Sequence, residues 1–241
     1  MRFASVAVTV FVGACLAVPG ARADDMVVVS NSAAIGFARG TVIEDGSNVT
    51  IPAGARLALI DVSGRGLIVR GPYKGPLHAP LSETPKTASV LATVKSILTA
   101  GSLSSGVARK AGDDPHPPDP RLIDVSGDAT VCVDLGGMVE LWSHPPARRT
   151  KLFVTRLATG ERAELEWPAN ESTVPWPGTI QIADRERYQF AFLGALSRPR
   201  LLIKLEPPGA LAVASAKRLA DAGCLGQAVT MLEANAAADV R

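Results

Sequence analysis

Residues 56–70 read Arg-Leu-Ala-Leu-Ile-Asp-Val-Ser-Gly-Arg-Gly-Leu-Ile-Val-Arg. A strand turns successive side chains to opposite faces. Leu57, Leu59 and Asp61 therefore share one face, and Ala58, Ile60 and Val62 share the other. Ser63-Gly64-Arg65-Gly66 is rich in turn formers and leads into a second apolar run, Leu67-Ile68-Val69-Arg70. The stretch predicts two strands joined by a turn, and it gives the N-terminal part of the chain its β character.

The same pattern extends outward. Met26–Val29, Thr41–Ile43 before the Asp45-Gly46 turn pair, and Val49–Ile51 before Pro52 are further short apolar runs. Gly71-Pro72-Tyr73 and Gly75-Pro76 punctuate the end. Residues 26–82 thus predict a small β-domain or barrel. The period then changes. Val90, Leu91, Val94, Ile97 and Leu98 form one helical stripe, with Thr84-Pro85 to start it and Gly101 to end it. Residues 84–121 comprise this helix and a linker. The four prolines of Asp113-Asp114-Pro115-His116-Pro117-Pro118-Asp119-Pro120 lack the N–H that a ladder or helix needs.

From Leu122 the period returns to two. Strands are expected at Thr130–Asp134, Met138–Trp142, Lys151–Leu157, Ala163–Trp167, Thr179–Ile182, Arg187–Leu193 and Leu201–Glu206. That spacing over residues 122–206 suits an immunoglobulin-like β-sandwich. Residues 210–238 are helical again, with stripes Leu211, Ser215, Leu219, Ala222 and Leu225, Val229, Leu232, Ala236 on either side of Gly223. They predict an αα-hairpin, similar to a single tetratricopeptide-type hairpin and expected to pack on the sandwich. The fold class is therefore mainly β: a small N-terminal β-domain, a sandwich and a C-terminal αα-hairpin. The hexapeptide Leu-Ile-Asp-Val-Ser-Gly occurs at 59–64 and again at 122–127. The flanks differ, which favours two strands that each end in a Ser-Gly turn over an internal duplication.

Gly40-Thr41-Val42, Ile51-Pro52-Ala53-Gly54-Ala55-Arg56-Leu57-Ala58-Leu59 and Gly66-Leu67-Ile68-Val69-Arg70-Gly71-Pro72 together resemble the periplasmic FecR-type β-domain over residues 40–77. That family relays signals to sigma factors through a cytoplasmic anti-sigma segment and one membrane span. What the resemblance implies here is the periplasmic β-module alone. The remainder is similar to alphaproteobacterial envelope proteins.

The N-terminus fits that placement. Met1-Arg2, the apolar run Phe3 to Val18, the breaker Pro19-Gly20 and the small-x-small Ala21-Arg22-Ala23 read as a signal peptide over residues 1–23. The expected location is periplasmic or secreted, with no membrane span after cleavage. The alternative is a lipoprotein anchored at Cys15, which follows Val12-Gly13-Ala14. Cleavage removes Arg2 and Arg22 and brings the formal charge from +2 to zero. No Lys or Arg run suggests a phosphate-tracking surface, so nucleic acid is not an expected partner. Cys132 and Cys224 remain, and in an oxidising compartment they are expected to form a disulfide; the alternative is two buried thiols.

Little in the chain points to catalysis. His78, His116 and His144 stand at no metal-ligand spacing, and Asp113-Asp114-x-His116 lies in a Pro-rich linker. Gly101-Ser102-Leu103-Ser104-Ser105-Gly106 has the wrong spacing for a nucleophile elbow. Glu164 and Glu166 lie two apart on a strand, which places them on one solvent face. No catalytic residue, cofactor or metal is assigned. Trp142, Trp167 and Trp176 are candidates for a ligand surface, the last two being followed by proline. The plainer reading of all three is core packing with the indole N–H bonded at the rim. The expected function is a non-catalytic exported interaction module of envelope signalling or assembly, with an envelope protein as partner. The alternatives are a carbohydrate- or peptide-binding accessory protein using the Trp-Pro edges, and a cryptic hydrolase. Mass spectrometry of the protein recovered after export should find Asp24 at the N-terminus; a diacylated Cys15 would show the lipoprotein reading to be the right one.

Overall fold

A computed structural model of the chain describes residues 25–32, 34–80, 88–104, 117–127, 129–134, 138–194, 199–205 and 212–238. The expected signal peptide, Cys15, the Asp113-Asp114-x-His116 stretch and Leu211 lie outside them. The chain is mainly β. Strands β1 (Met26–Asn31), β2 (Val42–Ile43), β3 (Asn48–Ile51), β4 (Arg56–Asp61), β5 (Gly66–Arg70) and β6 (Tyr73–Pro76) come first, followed by helix α1 (Ala88–Ser104).

β4 is the centre of the first unit. It lies between β1 and β5 in an antiparallel four-stranded sheet of order β2-β1-β4-β5. Its alternation is apolar on both sides. Leu57 and Leu59 join Met26, Val28, Val49, Ile51 and Leu77 in one core, beneath the β3–β6 pair. Ala58 and Ile60 join Val27 and Val29 in a second core on the opposite face. β6 falls where the sequence offered only Gly and Pro punctuation. It pairs with β3 from Asn48↔Pro76 to Ile51↔Tyr73, an edge position at which a proline costs no ladder hydrogen bond.

Helices close the second core. α1 contributes Leu91, Val94, Ile97 and Leu98, the stripe read from the sequence. It does not stop at Gly101 but runs on to Ser104. Gly101 serves a close approach instead: a Cβ there would stand 2.9 Å from Val229 Cγ2. The C-terminal hairpin, α2 (Ala212–Asp221) and α3 (Leu225–Ala238), packs mainly here. It meets the sandwich, where it was expected to pack, around Cys224 and Gln227, so the expectation is corrected in part. Ala216, Ala228, Val229, Leu232 and Ala236 complete the core begun by β1, β4 and α1. The reason is where apolar surface remains to be covered. The helix-facing side of this sheet is apolar, whereas the outer face of the sandwich carries exposed Lys151, Arg162, Glu164 and Glu166. Each large aliphatic side chain buried in this core stabilises by about 1.5–3 kcal/mol.

The second unit is therefore inserted between α1 and α2. It comprises β7 (Ile123–Asp124), β8 (Thr130–Asp134), β9 (Glu140–Trp142), β10 (Thr150–Arg156), β11 (Arg162–Trp167), β12 (Thr173–Pro175), β13 (Glu186–Phe192) and β14 (Pro199–Leu205). A five-stranded sheet of order β11-β10-β13-β14-β8 faces a three-stranded sheet of order β12-β9-β7. β8 and β14 pair in parallel, and β10, β11 and β13 are antiparallel. Leu152, Val154, Trp167, Tyr188, Phe190 and Leu202 meet Ile123, Leu141 and Val174 between the sheets. The expected strand Thr179–Ile182 is not one. That segment is a turn whose Ile180 drops into the core, and the strand in this region is Thr173–Pro175, paired with β9.

α3 crosses β5 at Gly66, where a Cβ would lie 2.3 Å from Ala236 Cα and 2.6 Å from the Asn235 carbonyl oxygen. Both obstacles are backbone, so the helix itself must move. Gly66→Ala should cost about 1–3 kcal/mol in urea unfolding followed by circular dichroism. Gly36→Ala, with open space around it, should cost far less.

Candidate functional site

The place where the two units meet is the best-defined candidate. Its basis is the disulfide between Cys132 in β8 and Cys224 at the turn between α2 and α3, with Cα atoms 5.8 Å apart. Both cysteines are buried, packed with Ile203 and flanked by Leu201, Leu219 and Ala222. Gly223 adopts φ +87, the left-handed conformation that ends α2, and this turn brings Cys224 toward the sandwich. Cys224 N–H donates to the Leu219 carbonyl at 2.8 Å, which fixes the turn.

Beside the bridge, α3 seals a sheet edge with one side chain. β8 is the outermost strand of the five-stranded sheet. Cys132 N–H donates to Gln227 Oε1 at 2.7 Å, and Gln227 Nε2 donates to the Cys132 carbonyl at 2.8 Å and to the Pro120 carbonyl at 2.8 Å. A side-chain amide carries the same donor and acceptor as a peptide group. Gln227 thus stands in for the missing neighbouring strand at that residue. Sequence reading missed it, because a single glutamine on a helix carries no signal of what it faces. Asn235 Nδ2 repeats the device on the other unit by donating to the Gly64 carbonyl at 2.9 Å.

The tryptophans are not grouped on a surface. Trp142 and Trp167 are 5% and 0% exposed, and Trp176 packs against the same sandwich core. The indole N–H of Trp167 donates to the Glu171 carbonyl at 2.8 Å, and that of Trp176 to the Ile180 carbonyl at 2.6 Å. Their large apolar area is spent on the core, with the polar N–H satisfied at the rim. Trp167 and Trp176 thus follow the plainer reading, core packing with the indole N–H bonded at the rim. Trp176 stands edge-on to Tyr188, ring centroids 5.4 Å apart. The Tyr188 hydroxyl donates to the Gln181 carbonyl at 3.0 Å and accepts from Ala183 N–H at 2.8 Å. A buried tyrosine near the start of a strand, bonded to backbone a few residues upstream, is the tyrosine corner of immunoglobulin-like sandwiches. Its sequence signal was Tyr188 two residues before the core residue Phe190.

The remaining candidates are structural. In both copies of the hexapeptide an aspartate caps the turn: Asp61 accepts from Ser63 N–H and Arg65 N–H, and Asp124 accepts from Ser126 N–H at 2.8 Å. Burial pushes the Asp124 carboxyl above its usual range. Glu164 and Glu166 lie exposed on β11, paired to Lys151 at 2.5 Å and Arg149 at 3.5 Å. Arg156 clasps Glu186 through two hydrogen bonds, and that clasp holds the Glu186 carboxyl below its usual range. His78 meets Asp45 at 3.3 Å on the surface, and His144 lies beside Trp142. Among the described residues no three His, Cys, Asp or Glu side chains gather as a metal site, and no helix is long and apolar enough to cross a membrane.

Comparison with family models, with curated proteins and with solved structures finds no match to this chain.

The junction has two separable parts, the covalent bridge and the amide. Gln227→Met keeps the helix but leaves the Cys132 peptide groups without that partner. It should cost about 1–3 kcal/mol, read in the tryptophan-monitored unfolding of the sandwich. Cys224→Ser should leave the hairpin folded on the first unit, because its core residues lie there. It should instead split unfolding into two transitions, tryptophan fluorescence following the sandwich and far-ultraviolet dichroism the helices.

Proposed function

We propose that the chain is an exported, non-catalytic interaction module of the bacterial envelope. It presents a FecR-type β-unit and an immunoglobulin-like sandwich as one body to an envelope protein. The observation that carries this reading is the buried Cys132–Cys224 bridge between the two units. Disulfides persist in oxidising compartments. A chain-entropy account gives a loop of this length roughly 4–5 kcal/mol. A covalent link across two units, reinforced by Gln227, holds their surfaces in one relation. That is what a partner contacting both would need. The burial of Trp142 and Trp167 weighs against sugar or peptide binding by stacking.

The test is photo-cross-linking in intact cells, with the reactive group at exposed Lys74 on the first unit or exposed Thr179 on the second. Both positions should yield an adduct with the same envelope protein. The yield should fall several-fold in Cys224→Ser, which keeps both units but loosens their relation. Adducts with unrelated proteins from the two positions, or retention of the chain in the cytoplasm with free thiols, would refute the proposal.

A further inference from the structure

The five-stranded sheet has two edges, and they are treated differently. At β8 the edge is met by Gln227 and the disulfide. At β11 it is open. Arg156 N–H donates to the Glu161 carbonyl at 2.9 Å, and the register runs on through Val154↔Ala163 and Leu152↔Leu165. In an antiparallel pair, hydrogen-bonded and non-hydrogen-bonded positions alternate. The main-chain groups of Ala163 and Leu165 therefore point to β10, and those of Arg162, Glu164 and Glu166 point away from the sheet. Among the described residues nothing hydrogen-bonds these outward groups. Exposed strand edges of this kind are templates for another strand.

We propose that β11 is a self-association edge, through which two copies of the chain pair antiparallel about a two-fold axis at Ala163. The charges along the strand select both the partner and the register. A two-fold interface places residue i against j and j against i. The outward main-chain groups sit on Arg162, Glu164 and Glu166, so these residues must face one another across the axis. With the axis at Glu164, two glutamates stand directly opposite. With the axis at Leu165, Glu164 faces the partner's Glu166 twice. Like charges directly opposite are destabilising. With the axis at Ala163, each Arg162 faces the partner's Glu164, and no like pair forms. The residue on the axis is then small, as suits a non-hydrogen-bonded pair whose Cα atoms approach to about 4.5 Å. Arg162 lies over the Phe153 ring of β10, 4.1 Å from its centroid, and Glu164 is bonded to Lys151 of the same strand at 2.5 Å, so both side chains turn outward from β10 when they meet across the axis. Pairing joins the two five-stranded sheets into one and leaves the β8 edges at its far ends.

The test is sedimentation velocity of the full-length oxidised protein over a range of concentrations. The wild type should dimerise reversibly. Arg162→Glu and Glu164→Arg should each weaken the dimer about tenfold or more, because each puts like charges opposite at two places. The double variant restores opposite charges in the proposed register and should return to within about threefold of the wild type. Glu164→Pro removes only an outward N–H and should be monomeric with its fold intact by tryptophan emission. If that variant fails to fold, the charge reversals alone decide. A wild type monomeric at about millimolar concentration, a dimer indifferent to the reversals, or a double variant as weak as the single ones would each overturn the proposal.

Discussion

The structure depends on one sheet being apolar on both sides. β1 and β4 send Met26, Val28, Leu57 and Leu59 to one face and Val27, Val29, Ala58 and Ile60 to the other. Antiparallel sheets commonly leave one face to water. This one does not, and its second face needs more cover than α1 provides. α3 supplies the rest and meets β5 closely enough that position 66 must be glycine. Once the C-terminal helices are committed there, the sandwich becomes an insertion, and the turn between α2 and α3 comes to lie against β8. The disulfide and the Gln227 contact follow from that placement.

Much of the local structure was legible in the sequence, and the reason is periodicity. Arg56–Asp61, Leu67–Arg70, Thr130–Asp134 and the stripe from Leu91 to Leu98 follow a period of two or of 3.6. β6 and β12 were not legible, because Tyr73-Lys74-Gly75-Pro76 and Thr173-Val174-Pro175 carry turn residues and become strands only where a partner supplies the ladder. The docking of the hairpin was hidden for another reason. An amphipathic stripe shows that a face is buried but not against which surface.

The candidate site was half legible. The pairing of Cys132 with Cys224 was expected from two cysteines and an N-terminus that reads as an export signal, and the bond is present in the structure. Its role did not follow. Sequence reading had the hairpin packed on the sandwich, whereas it is held by Leu232, Val229 and Ala228 in the first core. The bond fastens the sandwich instead. The tryptophans carried two readings in the sequence, because aromatic area suits a core as well as a binding face and composition cannot separate the two.

The wrapped path of the chain also bears on the order of its assembly. The described strands of the sandwich all lie between residues 123 and 205, so its sheets can pair as soon as those residues are free. The first sheet waits longer. A chain released N-terminus first exposes Val27, Val29 and Ile60 until α3 arrives from the far end of the sequence. Contacts of such sequence separation are paid for in loop closure before they return any stability. The first part of the protein to be made is thus the last to be finished, and for that interval its sheet is a client for any holdase that recognises bare aliphatic surface.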